Sequence, residues 1–250
     1  MNGPRVAPHS SFPPLEIKPG EKIFVLTGAG ISAESGVKTF RDTGGLWENQ
    51  RVEDVATPEG WARNPELVWR FYSERRKQLG EVKPNPAHLA LAALEQKAQL
   101  FLVTQNVDDL HERGGSKKVW HMHGELLSSR CERCERPAFR DAGHYWKLAE
   151  IPACPCGARL RPDIVWFGEM PFHRGEIDDA LMACDTFITV GSSGAVYPAA
   201  GYVADLRRMR SDRPARAIYL GPEVPDNARA FDECRLGTAG EALPRLFHPG

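Results

Sequence analysis

A chain of 250 residues, 42% of them apolar, can bury one large core, or a core with an inserted lobe. Its formal net charge of −1 argues against a general nucleic-acid or membrane-surface binder. A mean hydropathy of −0.41, with no apolar run near the roughly 20 residues that cross a bilayer, argues against a membrane-spanning helix.

Residues 1–20 are proline-rich and lack an apolar signal core, so they read as a poorly ordered arm and not as a secretion signal. Residues 23–26 are a short β-branched apolar run, the pattern of a buried strand. The run breaks into Gly28-Ala29-Gly30, with a helical start at 31–35. Gly28, Gly30 and Ala33 fit a GxGxxA fingerprint, in which glycines close a turn and bring backbone N–H groups up to a pyrophosphate. A purely structural strand-to-helix turn fits those residues about as well. No second strand follows soon enough to carry a ribose-binding acid about twenty residues on. A polar, glycine-containing segment, 39–45, stands there instead and reads as a loop that closes over a cofactor. The nucleotide reading is thus a variant of the ordinary Rossmann one.

Residues 47–82 read as mostly helical, with starts at Thr57-Pro58 and Asn64-Pro65. Leu67, Val68, Phe71, Tyr72 and Leu79 recur there at helical spacing. Lys83-Pro84-Asn85-Pro86 ends that stretch, and 87–97 is an amphipathic helix. Strands follow at 100–104 and 119–121. Residues 125–161 change character: charged, cysteine-bearing and poor in apolar periodicity. Strands then resume at 163–167, 186–190, 217–220 and 234–236, with helices at 177–183, 199–209 and 241–247. Strands separated by helices predict an α/β chain with a doubly wound parallel sheet, Rossmann-like. Segments 21–46, 83–124 and 161–250 would form that sheet domain. A helical insert, 47–82, and a zinc-binding insert, 125–160, would form a smaller lobe of helical and zinc-ribbon character.

Six cysteines could make three disulfides, but four lie between 131 and 156, which argues for a metal in a reducing compartment, the cytoplasm. Cys131-x-x-Cys134 and Cys154-x-Cys156 can place four thiolates around one tetrahedral Zn²⁺. Four incidental buried cysteines would be the plain alternative, and their clustering disfavours it. All-cysteine ligation leaves no open position, so this zinc is structural. Cys184 and Cys234 read as core residues.

In an open α/β sheet, ligands bind beyond the carboxyl ends of the strands. Gly28 to Ser32, Gln105 to Asp108, His123, and Gly191-Ser192-Ser193 each follow a predicted strand, so they converge on one crevice. His123 is the sensible general base, since imidazole titrates near neutral pH. His121 and His123 alternate like strand residues, and position alone does not choose between them.

The stretches GAGISAESGVKTFR, TQNVDDLHERGG, HMHGE, RPDIVWFGEMP and GSSGAVYPAA, in that order, resemble the sirtuins, the NAD-dependent protein lysine deacylases. The resemblance spans about residues 20–248 and is nearest the bacterial class III members. It implies NAD as co-substrate, held by Gly28, Ala29, Gly30, Ser32, Ala33 and Glu34 and by the loop carrying Thr39, Phe40, Arg41 and Trp47. Gln105, Asn106 and Asp108 would line the nicotinamide and ribose pocket, with Asn106 and His123 catalytic. Gly191, Ser192 and Ser193 would meet the adenosine side. In the family's reaction the acyl group leaves on ADP-ribose as nicotinamide and free lysine are released. Val165, Trp166, Phe167, Gly168 and Glu169 would take the acyl-lysine peptide by strand addition. The protein would act as a monomer with no membrane or nucleic-acid partner.

Tyr72 and Arg75, three apart on a predicted helix, share a face. A phenol and a guanidinium together suit a carboxylate. The charge run 74–77 read alone is an ordinary solvated face. Beside the resemblance, YxxR matches the class III signature for malonyl-, succinyl- and glutaryl-lysine, and Ala56 matches the small residue that widens the acyl pocket. The expected activity is desuccinylation and demalonylation with deacetylation retained. Departures from the family are Lys38-Thr39 before Phe40-Arg41, Val107 for isoleucine, and Gly221 after Leu220 where relatives carry an adenosine-binding Asn. Thr238 and Ala239 are only loosely placed near the adenine. Protein mono-ADP-ribosyl transfer, an idle NAD- or zinc-binding module, and a hydride-transferring NAD enzyme stand as the competing readings.

Overall fold

The computed structural model describes residues 3–37, 46–47, 50–210 and 214–247. Strands β1 (Arg5–Pro8) and β2 (Lys22–Thr27) open the chain, and helix α1 (Ala29–Ala33) follows β2 directly. A short hairpin, β3 (Leu46–Trp47) and β4 (Gln50–Arg51), leads into α2 (Val52–Val55), α3 (Pro58–Arg63) and the long α4 (Pro65–Glu81). Then come α5 (Pro86–Leu94), β5 (Gln99–Thr104), α6 (Leu110–Arg113) and β6 (Val119–His121). Strands β7 (Gly124–Cys131), β8 (Phe139–Arg140) and β9 (Leu160–Ile164) precede α7 (Arg174–Ala183), β10 (Thr186–Val190) and α8 (Tyr202–Met209). Strand β11 (Arg216–Gly221), β12 (Glu233–Leu236) and α9 (Ala239–Phe247) complete the order.

Helix starts follow local chemistry. Thr57, Asn64 and Asn85 each accept a backbone N–H of the first turn of α3, α4 and α5, and each is followed by proline. Such a residue satisfies an orphan donor, and proline costs nothing where no N–H is needed.

The larger sheet has seven parallel strands in the order β1-β12-β11-β10-β2-β5-β6. Alternation along β2 assigns its two faces. Ile23 and Val25 pack with Leu91 and Leu94 of α5 and Leu243 and Leu246 of α9. Phe24 and Leu26 pack on the other side with Ile177 and Leu181 of α7 and Val203 and Leu206 of α8. Burial on both faces is what makes these strands continuous apolar runs. From β2 the chain first builds outward through β5 and β6, then returns to build the other side through β10, β11 and β12. That reversal leaves a crevice at the carboxyl end of β2.

The smaller lobe joins two separate stretches of chain. Strand β7 lies between β8 and β9, antiparallel to both. Val68, Trp69 and Tyr72 of α4 pack with Leu126, Ile164 and Trp166. Trp69 Nε1 donates to Leu160 O (2.9 Å). Arg76 is nearly fully buried and donates to the carbonyls of Leu126, Gly143 and Ser128 at 2.8, 2.6 and 3.0 Å.

Two expectations need correction. The run at 163–167 was expected to be a strand of the parallel sheet; the strand is Leu160–Ile164, and it pairs antiparallel with β7. The chain turns back at the cysteine pair, and an antiparallel neighbour needs no crossover helix. This pairing carries the small sheet past residue 160. Nor is the N-terminal stretch a loose arm. Its β1 pairs with β12, and Leu15 is buried with its N–H on Leu246 O (2.7 Å). The guanidiniums of Arg5 and Arg235 both lie over the Phe12 ring, 4.5 and 4.7 Å from its centre. A few anchoring side chains hold a segment that its proline content makes look unstructured.

Candidate active site and metal centre

The crevice at the carboxyl end of β2 encloses a cavity of about 730 Å³. Its floor is a close backbone contact. A Cβ at Gly28 would stand 2.9 Å from Gly191 O, and one at Gly30 would stand 2.7 Å from Gly191 Cα. Gly30 N donates to Gly191 O at 2.9 Å. The turn after β2 and the turn after β10 can therefore touch only because both are glycine.

The segment after β5 supplies the polar lining. Asn106 Nδ2 donates to Gly28 O (3.2 Å) and Ser32 Oγ (3.0 Å), and Ser32 Oγ donates to Asp108 Oδ2 (2.9 Å). Burial pushes the Asp108 carboxyl up, against the bonds it accepts from Ser32 and from Leu110 N. Gln105 Nε2 donates to Ser192 Oγ at 3.0 Å, tying the β5 and β10 ends together. Ala29, Ala33, Glu34 and Ser193 also line the cavity. Glu34 has a second task, since its Oε1 accepts Gly240 N (2.8 Å) at the start of α9.

The two histidines separate here. His123 lines the cavity, and its Nδ1 lies 3.0 Å from Gln105 O. A carbonyl only accepts, so Nδ1 carries the proton and Nε2 is the basic atom. Burial pushes the His123 imidazolium down from its ordinary value, keeping the ring neutral. His121 differs: Nδ1 meets Asn106 O at 3.1 Å and Nε2 meets Glu112 Oε1 at 2.8 Å. Burial opposes charge on His121, but the Glu112 carboxylate outweighs it and the ring titrates above its ordinary value. Both its nitrogens are committed as donors, so His121 is a poor base.

The far end of the cavity belongs to the smaller lobe. Tyr72 and Arg75 both line it, and both are buried. Ala56 lines it too, with its carbonyl accepting Phe167 N at 3.0 Å. Val165 N donates to His123 O (2.9 Å). Phe167 and Gly168 are exposed at the rim. Glu169 also lines the cavity, but its carboxylate accepts from Arg161 (2.6 and 2.9 Å) and from Trp166 N (2.8 Å). Its visible role is to hold the 165–169 segment in shape. Thr39, Phe40 and Arg41 lie outside the described residues, and Trp47 is described only as part of β3.

The four expected cysteines converge. Their sulfurs all lie within 4.8 Å of one another, with Cys131 to Cys156 at 3.5 Å and Cys134 to Cys154 at 3.6 Å. These separations are too long for disulfides, and they approach the ~3.8 Å edge of a tetrahedron with Zn–S bonds of about 2.3 Å. The backbone N–H groups of Cys134 and Arg133, each 3.3 Å away, point at Cys131 Sγ and draw its thiol down to about 6. The donor set fits one zinc ion. Trp61 Nε1 donates to neighbouring Glu132 (2.9 Å), coupling the knuckle to α3.

The sequence model of the Sir2 family, compared with the chain, matches residues 28–198, from the glycine turn through both lobes. The chain belongs to the Sir2 family. It is 52% identical over 230 residues to an NAD-dependent protein deacylase of Pasteurella multocida, covering 90% of this chain and 96% of that relative. An NAD-dependent protein deacylase of Shewanella oneidensis is 50% identical over 230 residues, covering 90% and 93%. Among solved structures, a Sir2 homolog–NAD complex superposes with a TM-score of 0.78 at 38% identity, covering 90% of this chain and 87% of the other. The parallel sheet with a small four-cysteine lobe is thus the Sir2 fold, with NAD as its co-substrate and zinc as its structural ion. No helix among the described residues is long and apolar enough to cross a membrane.

This Sir2 chain also lines its crevice with residues left unassigned from the sequence: Val37, Ile164, Tyr219 and Glu223. Tyr219 and Glu223 stand at the end of β11, so the strand-end rule that found Gly28 and Gln105 could have found them. Chelating the metal, or Cys131→Ser, is expected to unfold the small sheet of this Sir2 protein, because such a segment draws its folding energy from the ion. Tryptophan emission would then shift to the red as Trp61 and Trp69 become wet. An unchanged spectrum after complete zinc removal would refute a structural role.

Proposed function

We propose that the chain is an NAD-dependent protein lysine deacylase that removes succinyl and malonyl groups as well as acetyl groups. The observation that carries the acyl preference is the burial of Tyr72 and Arg75 in the same crevice as His123. A guanidinium beside a phenol suits a carboxylate: the guanidinium offers a planar, charge-assisted fork and the phenol a further donor. Burial pushes the Tyr72 phenol well above its ordinary value, so it stays a neutral donor at any working pH.

NAD, when bound, supplies the ribose carbon that takes the acyl oxygen and lets nicotinamide leave. The chain's own residues do the rest. Gly28, Gly30 and Gly191 give the backbone approach that a pyrophosphate needs. Gln105, Asn106 and Asp108 present an ordered polar wall to the nicotinamide ribose, fixed by the bonds to Gly28, Ser32 and Ser192. His123 Nε2 takes a proton from a ribose hydroxyl, a task suited to a neutral imidazole whose other nitrogen is pinned. The peptide lies along Phe167 and Gly168 at the rim. Zinc held by Cys131, Cys134, Cys154 and Cys156 supports the lobe that carries the acyl end.

The test is a mass-spectrometric assay with NAD and matched acetyl-, malonyl- and succinyl-lysine peptides, scored for free lysine, nicotinamide and acyl-ADP-ribose. Faster loss of the acidic groups is expected. Acetyl removal alone would discard the carboxylate reading and keep the deacylase. Nicotinamide release with ADP-ribose appearing on protein would favour ADP-ribosyl transfer.

A further inference from the structure

We propose that Trp166 is a positioning residue for acyl specificity: its indole N–H fixes the Tyr72 oxygen so that the phenol presents its proton to the carboxylate of an acidic acyl group. This rests on the acyl-class reading above and adds the residue that makes the phenol directional. Trp166 Nε1 lies 3.1 Å from Tyr72 Oη, and both side chains are almost wholly buried. An indole N–H can only donate, so the phenol oxygen accepts in this bond. A phenol proton lies near the ring plane on one side of the oxygen or the other. A donor on one side selects the opposite side for the proton. Tyr72 is thereby set as a donor away from the indole, which is the sense a carboxylate requires.

The indole is itself held from several directions. The Arg161 guanidinium lies over its ring at 3.4 Å, and the Trp61 ring stands 5.8 Å away at 38°. Arg161 grips Glu169 with two bonds, and Glu169 grips the backbone N of Trp166 (2.8 Å). The chain Glu169–Arg161–Trp166–Tyr72 thus transmits the shape of the 165–169 segment to the phenol. A tryptophan serving only as core filler would satisfy its N–H on any nearby carbonyl, as Trp69 does on Leu160 O. Here the N–H goes to a side chain lining the cavity.

Trp166→Phe deletes the donor and keeps a ring beneath Arg161. With succinyl- and acetyl-lysine on one peptide sequence, the succinyl-to-acetyl ratio of kcat/KM is expected to fall about three- to tenfold, the size of one hydrogen bond. Most of the change should lie in KM, and calorimetry should show a matching loss of succinyl-peptide affinity. In a Tyr72→Phe background the same substitution should leave the ratio where Tyr72→Phe put it. Should Trp166→Phe fail to fold, benzothienylalanine at position 166 removes the N–H and keeps the bicyclic shape. A wild-type preference for succinyl peptide that either variant leaves intact overturns the proposal alone. A wild-type protein that neither binds nor cleaves succinyl peptide overturns the acyl-class reading, and this proposal with it.

Discussion

His123→Asn is expected to lower acyl removal by about 10²- to 10⁴-fold, the usual worth of a general base, while the thermal midpoint changes little. Among the described residues the ring's one hydrogen bond is to Gln105 O, so the fold loses little with it. The pH profile gives an independent reading. Burial holds the folded-state value of His123 below the ordinary imidazole value, and the base must be neutral to work. Activity should therefore stay level as pH falls from 8 through the ordinary range near 6.5 and decline only below it. The sign follows from protonation: a lowered value keeps the active form present at lower pH. An acid limb of kcat/KM at or above pH 6.5 would assign the base elsewhere, as would turnover retained by His123→Asn.

Arg75→Met should lower the succinyl-to-acetyl ratio of kcat/KM by about 10²- to 10⁴-fold, since each hydrogen bond to a charged partner is worth about 1.5–3 kcal/mol and a guanidinium can offer two. Acetyl-lysine brings no charge to that end of the cavity and should lose much less. Arg75→Lys keeps the charge and gives up the planar fork, so it should recover only part of the ratio. Equal losses on both peptides would mean that Arg75 supports the pocket without reading the acyl group.

The glycine turn and the strand-end residues could be found in the sequence because each is a local departure from a strong pattern. An apolar run stops at Gly28, at Gln105 and at Gly191, and the sheet brings those stops together. The small lobe was harder to read. The run 74–77 looks like one solvated charge cluster, yet Arg75 lines a cavity and Arg76 is consumed by the carbonyls of Leu126, Ser128 and Gly143. The partners of Arg76 lie fifty residues or more away, which no local window contains, and the cavity that Arg75 lines is assembled from both lobes. The segment around Trp166 misled for a related reason. Its apolar run fits a parallel strand equally well, and only pairing with β7 decides that the strand ends at Ile164. Between His121 and His123 the deciding partners are Glu112 and Gln105, contacts that appear only once the chain has folded.

The pairing of β1 with β12 has a bearing on synthesis. Arg5 lies beside Glu233, so β1 leaves the ribosome long before the strand that becomes its neighbour. Closing so long a loop costs entropy that grows only slowly with length, but pairings this distant in sequence form late. Until then β12 is itself unmade, and once made it is an open sheet edge able to pair with other chains. The proline-rich segment that docks there, with Phe12 held against two arginines, is a latch. It shuts only after the twelfth strand exists, and in shutting it covers the β12 edge and leaves outermost a strand of only four residues that ends in Pro8, a poorer template for nascent copies to pair with.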